Sequence, residues 1–307
     1  METSRFKGII PPVSTLFHPD GSVDQKSMEI LIDSLIAAEV DGLFFLGTGG
    51  EFSQMSVEER MQLAEFAVRY VNHEVPVLIG TGGTNTREVI ALSQHAYSIG
   101  ADAVVVINPY YWGLTEENLF KHYSEIAESV DLPILLYNFP NLTGQDLTPD
   151  FVLKLVDSHS NVVGIKETID SIGHISEMIL KVKGKHSDFS VLCGFDNHLL
   201  NTLQMGGDGT ISASGNFAPE LSVGIYKAFM NEDYEEAKRL NKQLTVLPLL
   251  YQIDSPFVNV VKEAIKLSGL DISTYVLPPA RPLSQEKIKR VEEIMGLAEL
   301  LPTTVCK

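Results

Sequence analysis

Lys166 is the residue of this sequence whose type and position point most directly to chemistry. It follows the apolar residues Val162 and Val163 within the segment 164–168, GIKET. An ammonium group at the end of a buried strand is costly unless it is paired or loses its proton. A neutral lysine amine near pH 7 attacks carbonyl carbons and forms Schiff bases. The residues also allow a second interpretation, in which Lys166 snorkels to solvent or pairs with Glu167.

Other polar residues follow predicted strands at positions where they could act beside Lys166. Tyr137 ends the fifth apolar run, and a phenol at a strand end relays protons when its neighbours hold it in a hydrogen-bond chain. The glycine-rich segment 47–51, GTGGE, lets backbone N–H groups approach a ligand, as in a carboxylate-binding nest. Each pattern also has a purely structural explanation. The glycines could form a tight turn, and Tyr137 and the segment 109–112, PYYW, could serve aromatic packing.

These residues need a scaffold that brings strand ends together, and the apolar runs of the chain predict one. Most runs are continuous rather than alternating, as in strands buried on both faces. Helical signals fill the gaps, such as the capping-box pattern at 56–59. Eight such βα units over roughly 220 residues predict a (β/α)8 barrel, with a doubly wound open sheet as the alternative. The predicted strands cover 8–10, 42–46, 75–79, 103–107, 133–137, 161–165, 190–193 and 209–212.

After residue 218 the strand signal stops and the sequence becomes helical, with helices predicted over 234–244 and 258–267. We therefore predict an α/β chain with a (β/α)8 barrel over 1–218 and a C-terminal helical extension over 219–307. We expect the extension to pack on the barrel rather than to form an independent domain. Catalytic groups of such barrels lie at the C-terminal ends of the strands, so the ends of the predicted strands are the positions that matter.

The composition excludes several classes of partner. The 307 residues contain 40 Asp and Glu against 23 Lys and Arg, and the net charge of −17 disfavours nucleic acid and anionic membrane surfaces. No apolar run reaches the ~20 residues that span a bilayer, and residues 1–6 lack the pattern of a signal peptide. Cys193 and Cys306 provide neither a disulfide framework nor metal-ligand spacing. We expect a cytoplasmic protein that binds small molecules.

The sequence lacks the motifs of common metal and nucleotide sites. Its eight histidines show no HExxH spacing, and no GxGxxG links a strand to a helix. The segment 80–83, GTGG, has no lysine of the kind that a P-loop requires. We therefore predict a reaction that needs no metal and no bound cofactor.

Four motifs of the sequence occur in the order and spacing of one family. They are 47–51 (GTGGE), 109–111 (PYY), 137–140 (YNFP) and 164–168 (GIKET). On these residues the chain resembles the dihydrodipicolinate synthase/N-acetylneuraminate lyase family, which comprises Schiff-base-forming class I pyruvate aldolases. The resemblance runs from about Gly8 to Pro282 and includes the segment 256–263, PFVNVVKE. It implies the same barrel fold and no cofactor.

The resemblance also implies a role for each residue of the site. Lys166 would attack the keto carbon of pyruvate, or of a 2-keto acid to be cleaved. Tyr137 would relay protons, as base in cleavage and as acid in the reverse direction. Thr48 would bridge Tyr137 to Tyr111, which in this family reaches in from a neighbouring subunit, and a homotetramer is implied. The residues implied around the carboxylate and the pocket are Gly49, Gly50, Gly194 and Ile211.

Two positions depart from the pattern of the family. The family's loop has a hydroxyl residue where this chain has Gly49, so the carboxylate loses a hydrogen bond with ~1.5–3 kcal/mol at stake, which backbone N–H groups could replace. Leu142 stands where dihydrodipicolinate synthases have an arginine that holds the carboxylate of aspartate semialdehyde. Leucine cannot make that bidentate contact. We therefore expect a neutral, hydroxylated aldehyde as the second substrate.

Three further stretches favour one branch of the family. The segment 45–53, Trp112 and the segment 143–146 are most similar to 2-keto-3-deoxy sugar acid aldolases, which cleave acids such as 2-keto-3-deoxygluconate to pyruvate and an aldehyde. We predict this function. The alternatives are a dihydrodipicolinate synthase, a dehydratase or hydratase-aldolase that shares the Schiff base, and a pyruvate-binding protein without catalysis. The missing hydroxyl at Gly49 is the feature that favours the last of these.

Overall fold

Eight parallel strands form the centre of the molecule in the computed structural model, which describes residues 6–301. Residues 1–5, on which the prediction of no signal peptide partly rests, lie outside the described residues. Cys306 lies outside them as well. The strands are β1 (Gly8–Ile9), β2 (Leu43–Phe45), β3 (Val77–Gly80), β4 (Ala103–Ile107), β5 (Ile134–Asn138), β6 (Val162–Glu167), β7 (Ser190–Cys193) and β8 (Gly209–Thr210). Each strand from β2 to β8 pairs with its neighbour in the chain, and β8 pairs with β1.

The sheet closes into a barrel through the residues that follow β1. The Phe44 N–H in β2 donates to the Pro11 carbonyl at 3.0 Å, and the Val13 N–H donates to the Phe44 carbonyl at 2.8 Å. At the other side of β1, Ile9 lies opposite Thr210 of β8 in parallel register. These contacts leave no open edge between the first two strands. The predicted (β/α)8 barrel is confirmed, and the doubly wound open sheet is wrong.

Helices link consecutive strands, and local sequence signals explain where they begin. Ser56 and Glu59 form a capping box at the start of α2, and the Thr148 hydroxyl accepts from the Phe151 N–H at the start of α6. A π-helical turn at Ile179–Lys183 continues α7. The helices up to β8 are α1 (Gln25–Ala37), α2 (Val57–Val71), α3 (Thr86–Ser98), α4 (Glu116–Ser129), α5 (Pro140–Thr143), α6 (Pro149–Ser158), α7 (Ile172–Met178) and α8 (Leu199–Gln204).

The chain after β8 is helical, as the sequence predicts. The helices are α9 (Pro219–Met230), α10 (Tyr234–Leu244), α11 (Val258–Leu267) and α12 (Gln285–Leu297). The predictions of helices over 234–244 and 258–267 are confirmed by α10 and α11. α9 packs against both β1 and α10. The division of the chain into 1–218 and 219–307 stays a prediction.

The strands are buried along their length, which places the core inside and around the barrel. All residues of β4 are buried, in agreement with its continuous apolar sequence. The ends of the strands therefore form the positions where polar side chains meet the solvent face of the barrel. Within residues 6–301, no helix has the length and apolar character that crossing a bilayer requires.

Candidate active site

Lys166 and Tyr137 lie side by side inside the C-terminal end of the barrel. β5 and β6 pair so that Tyr137 is opposite Lys166. The Nζ atom of Lys166 is 4.1 Å from the centroid of the Tyr137 ring and 5.2 Å from that of Phe44. Phe44 belongs to β2, which does not neighbour β6, so this contact crosses the barrel interior. The structure thus brings together the two residues that the sequence predicts for the chemistry.

The amine of Lys166 is buried without a charged partner. The residue is 4% exposed, and no hydrogen bond or ion pair joins Nζ to another described residue. The alternative interpretations, snorkelling to solvent and pairing with Glu167, are therefore wrong. Burial lowers the pKa of Lys166 to about 7, although the nearby carboxylate of Asp196 acts in the opposite direction. A substantial fraction of the amine is therefore neutral and nucleophilic at neutral pH.

The hydroxyl of Tyr137 is held by Thr48, which lies in the turn after β2. Thr48 Oγ1 and Tyr137 Oη are 3.1 Å apart. Thr48 begins a short 3-10 turn, Thr48–Gly50. Burial raises the pKa of Tyr137 to about 12, and the hydrogen bond between Tyr137 and Thr48 partly offsets this effect. The phenol is protonated at neutral pH, and the pair of hydroxyls can pass a proton between them.

Gly194 and Ile211 lie where β7 and β8 end. The Gly194 N–H donates to the Glu167 carbonyl at 2.7 Å, and a Cβ atom at this position would lie 2.0 Å from Thr168 Oγ1. Only glycine permits this close approach of the two strand ends. The buried Ile211 donates its N–H to the Cys193 carbonyl at 2.8 Å. Both residues lie at the same barrel face as Lys166, as the sequence predicts.

The two glycines of the Thr48–Gly50 turn differ in their surroundings. A Cβ atom at Gly49 would meet only the Pro12 carbonyl oxygen, at 3.8 Å, so this position has room for a side chain. At Gly50 a Cβ atom would lie 3.3 Å from Thr15 Oγ1, which donates to the Gly50 carbonyl at 2.8 Å. The backbone geometry therefore does not require glycine at position 49. The missing hydroxyl is a difference in side-chain chemistry alone.

The structure does not bring Tyr111 to Thr48 within one chain. Tyr111 is 83% exposed, Trp112 is similarly exposed, and Tyr111 makes no hydrogen bond to a described residue. Tyr110 packs edge-on against Phe52, with ring centroids 6.4 Å apart. Within the described residues, Tyr110 is the residue of this segment that packs against another aromatic ring. The aromatic-packing interpretation therefore holds for Tyr110 alone. Leu142, in α5 after β5, is 54% exposed.

A cavity of about 590 Å³ lies beside the loop at 109–112, away from Lys166. Its lining includes Thr86, Trp112 and His122, but neither Lys166 nor Tyr137. We therefore assign the candidate site to the strand ends, because polar side chains converge there, and not to the cavity. No group of His, Cys, Asp and Glu residues within 6–301 is arranged to hold a metal ion. The expectation of a cofactor-free reaction stays a prediction.

Sequence reasoning missed one residue that lies near the amine and a second residue that is hydrogen-bonded to the first. Asp196, directly after β7, is buried and close enough to Lys166 to act on its pKa. Its carboxylate accepts a hydrogen bond from the Tyr251 hydroxyl at 2.7 Å and one from the Ser214 N–H at 3.3 Å. The position of Asp196 after a strand could have identified it. Tyr251 lies in the C-terminal helical part, where no local signal points to the barrel.

A second polar cluster lies behind Tyr137 and Lys166, formed by the residues that follow them. Asn138 Nδ2 donates to Glu167 Oε2 at 3.1 Å and to Asp146 Oδ1 at 2.8 Å. His174 Nε2 is 3.2 Å from Asp146 Oδ2, and its Nδ1 is 3.3 Å from Glu167 Oε2. Burial alone would lower the pKa of His174, but the two carboxylates outweigh it and raise this pKa to about 10. The cluster therefore holds a charged histidine between the strand ends.

A buried lysine with a lowered pKa lies beside a hydrogen-bonded tyrosine at the C-terminal end of a closed (β/α)8 barrel. The comparisons with known proteins agree with the barrel fold. The chain belongs to the dihydrodipicolinate synthetase family, whose model matches residues 5–297.

Two relatives from Escherichia coli (strain K12) are similar over nearly the whole chain. The protein named "Putative 2-dehydro-3-deoxy-D-gluconate aldolase YagE" is 56% identical over 299 residues, which cover 97% of this chain and 99% of the relative. The protein named "Probable 2-dehydro-3-deoxy-D-pentonate aldolase YjhH" is 53% identical over 298 residues, with 97% and 99% covered. The crystal structure of YagE in complex with pyruvate matches with a TM-score of 0.96, covering 97% of this chain and 100% of that one.

Proposed function

We propose that the protein is a class I aldolase that reversibly cleaves a 2-keto-3-deoxy sugar acid to pyruvate and an aldehyde, through a Schiff base on Lys166. The observation that supports this most directly is the buried, unpaired amine of Lys166, 4.1 Å from the Tyr137 ring. The names of the two bacterial relatives support the choice of sugar acid. The pyruvate complex of YagE supports pyruvate as the shared product.

The first half of the reaction forms the electron sink. The neutral amine of Lys166 attacks C2 of the keto acid, and the loss of water leaves an iminium ion. Because the pKa of Tyr137 is raised to about 12, its phenol is available to donate a proton to the departing hydroxyl. Thr48 keeps the phenol oriented, with the two hydroxyl oxygens 3.1 Å apart.

The second half breaks the carbon–carbon bond. Tyr137, left as a phenolate by the first half, accepts the proton of the C4 hydroxyl, and the C3–C4 bond breaks as the aldehyde forms. The bonding electrons pass to the iminium, which becomes an enamine on Lys166. Protonation of C3 and addition of water then release pyruvate and regenerate the amine.

We assign the remaining parts of the site to substrate binding. The turn at Thr48–Gly50 would receive the carboxylate, with Gly194 and Ile211 at the neighbouring strand ends. Asp196 and Tyr251, joined at 2.7 Å, offer an acceptor and a hydroxyl for the hydroxyl groups of the sugar acid. Such polar partners favour a hydroxylated aldehyde over an apolar one.

The Schiff base is tested by borohydride reduction in the presence of pyruvate, followed by mass spectrometry. We expect the mass of one reduced pyruvate adduct on the peptide that contains Lys166. The Lys166→Ala protein should gain no mass, while the Lys287→Met protein, which lacks a lysine of the C-terminal part, should keep the adduct. An unmodified wild-type protein would favour the binding protein without catalysis.

The substrate is tested with a panel monitored by pyruvate release or consumption. We expect turnover of 2-keto-3-deoxygluconate or the corresponding pentonate, and slow condensation of pyruvate with aspartate semialdehyde. The Leu142→Arg variant should gain activity toward aspartate semialdehyde, because arginine supplies a bidentate carboxylate contact. Faster turnover of the semialdehyde by the wild-type protein would assign the chain to the dihydrodipicolinate synthases instead.

A further inference from the structure

A buried ion pair connects the turn after β2 to the C-terminal helices. Glu51 directly follows Thr48–Gly50 and is 4% exposed, and Lys262 of α11 is 0% exposed. The Lys262 ammonium contacts Glu51 Oε1 and donates to the Tyr275 carbonyl at 2.7 Å. Glu51 Oε2 accepts from the Leu277 N–H at 2.8 Å. A single carboxylate thus joins the turn to two distant segments of the chain.

The backbone of Glu51 also shapes the turn itself. Its φ angle of 57° is left-handed, a conformation that residues other than glycine rarely adopt. The Glu51 N–H donates to the Thr48 carbonyl at 3.1 Å and closes the 3-10 turn. Such a conformation persists where the surroundings fix the side chain, and here both carboxylate oxygens are held. The position of Thr48 therefore depends on where the Glu51 carboxylate is anchored.

Burying this pair is unfavourable in itself. Burial lowers the pKa of Lys262, while the charge of Glu51 acts in the opposite direction. Replacement of a buried ion pair by apolar residues is often neutral or stabilising, so stability alone gives a weak reason for the pair. Its geometric effect is specific, because it holds the turn whose hydroxyl orients Tyr137.

We infer that Glu51 and Lys262 are positioning residues, which hold the Thr48–Gly50 turn in the geometry that binds the substrate carboxylate and orients Tyr137. This inference rests on the proposed function. It matters particularly in this chain because Gly49 has no side chain. Binding of the substrate carboxylate therefore depends on where the backbone of the turn lies. The C-terminal helices are then part of the active-site architecture, although Lys262 does not itself touch the reacting carbons.

The experiment measures the pyruvate concentration that half-saturates borohydride trapping, together with kcat, KM and Tm, in three variants. Glu51→Asp keeps the charge but shortens the side chain, and Lys262→Met removes the ammonium. The double variant Glu51→Gln, Lys262→Met removes both charges, so that no unpaired charge stays buried. Lys287→Met is the matched control, because its ion pair with Asp254 also lies in the C-terminal part but contacts neither Glu51 nor Thr48.

We expect the pyruvate concentration that half-saturates trapping to rise by at least about tenfold in the double variant and in Glu51→Asp. This is the factor that corresponds to one lost charge-assisted hydrogen bond. At saturating pyruvate the adduct should still form on Lys166, and Lys287→Met should match the wild type. Unchanged half-saturation and kcat in a folded double variant or in folded Glu51→Asp would overturn the inference while leaving the Schiff base intact. A wild-type protein without adduct would instead overturn the proposed function.

Discussion

The side chain of Lys166 combines a buried position with a reactive group. A lysine in water has a pKa of ~10.4, whereas burial lowers the pKa of Lys166 to about 7. Nζ lies near the rings of Tyr137 and Phe44, and no ion pair holds it, although Asp196 lies near enough to raise its pKa. The lack of an ion pair leaves the amine easy to deprotonate and makes its burial unfavourable.

The rate of adduct formation should depend on pH with the titration of Lys166. We expect the second-order rate constant for trapping with pyruvate to rise as the pH increases through about 7 and then to level off. The reason is that only the neutral amine attacks the carbonyl carbon. Stopped-flow or quenched trapping between pH 5 and 9 measures the midpoint. A midpoint above pH 9 would show that burial does not activate the amine.

The Lys166→Met variant should be inactive but more stable than the wild type. The folded-state pKa of Lys166 is lower than the unfolded value, so the unfavourable contribution is full below pH about 7 and disappears as the pH rises through ~10.4. We therefore expect Tm to increase by several degrees at pH 6 and by less at pH 10. Differential scanning calorimetry at the two pH values checks this. An equal increase at both would point to packing rather than charge.

Gly49 offers a test of how the carboxylate is bound. Because a Cβ atom there would meet only the Pro12 carbonyl at 3.8 Å, a serine should fit without moving the backbone. We expect Gly49→Ser to lower KM for the keto acid by roughly tenfold, the value of one hydrogen bond to a charged group. Gly49→Ala is the control, since it fills the same space without a hydroxyl. If alanine lowers KM as much as serine, the hydrogen bond is not the cause.

At the scale of elements, β5 and β6 place two reactive residues side by side. Tyr137 opposite Lys166 and Asn138 opposite Glu167 follow from one register. Side chains alternate along a strand, so the first pair points into the barrel while the second pair joins the cluster with His174 behind it. The strand register thus couples the pair Tyr137 and Lys166 to a polar cluster behind it.

The charge of His174 should stabilise the fold in a pH-dependent way. Its folded-state pKa of about 10 exceeds the unfolded value of ~6.5, so its stabilisation is full below pH about 6.5 and is lost as the pH rises through about 10. We expect His174→Gln to lower the free energy of unfolding at pH 6 and to matter much less at pH 10. Urea denaturation at both pH values, with wild-type and variant proteins in parallel, measures the difference. A difference that does not change with pH would mean that His174 contributes packing alone.

The element boundaries were largely predictable from the chain. Continuous apolar runs such as β4 have few alternatives to a buried strand, and a capping box marks the start of α2. β1 and β8 have two residues each, Gly8–Ile9 and Gly209–Thr210, and the residues after β1 complete the closure of the barrel by bonding to Phe44 of β2. This pairing depends on neighbouring strands, so local sequence does not define it.

At the scale of the whole molecule, the closed barrel gathers residues from distant parts of the chain at one face. Tyr137 and Lys166 lie near the ends of β5 and β6, while Thr48 and Asp196 follow β2 and β7. Tyr111 is exposed and does not lie beside these residues within the single chain. We propose that a neighbouring subunit of a homotetramer receives it, and we propose the cytoplasm as the location of the protein.

The contribution of Tyr111 across subunits can be tested by complementation. Lys166→Ala and Tyr111→Phe proteins should each have little activity, and a mixture refolded together should recover part of it. Mixed assemblies contain sites with Lys166 from one subunit and Tyr111 from the other. Recovery is measured by pyruvate release, with the assembly size checked by light scattering. A mixture of Lys166→Ala and Lys166→Met is the control and should stay inactive, whereas inactivity of the test mixture would place Tyr111 outside the site of its neighbour.

The sequence by itself determined the barrel class and predicted the pair Lys166 and Tyr137, because apolar periodicity and the residues at strand ends are local properties of the chain. It identified Lys166 and Tyr137 without any knowledge of their distance. Only the tertiary structure decided that Lys166 has no charged partner and that Asp196, Tyr251 and the Glu51–Lys262 pair lie around the site. Burial and long-range contacts arise when the strands close into a barrel and the C-terminal helices pack against it. No local pattern records which distant side chains then meet.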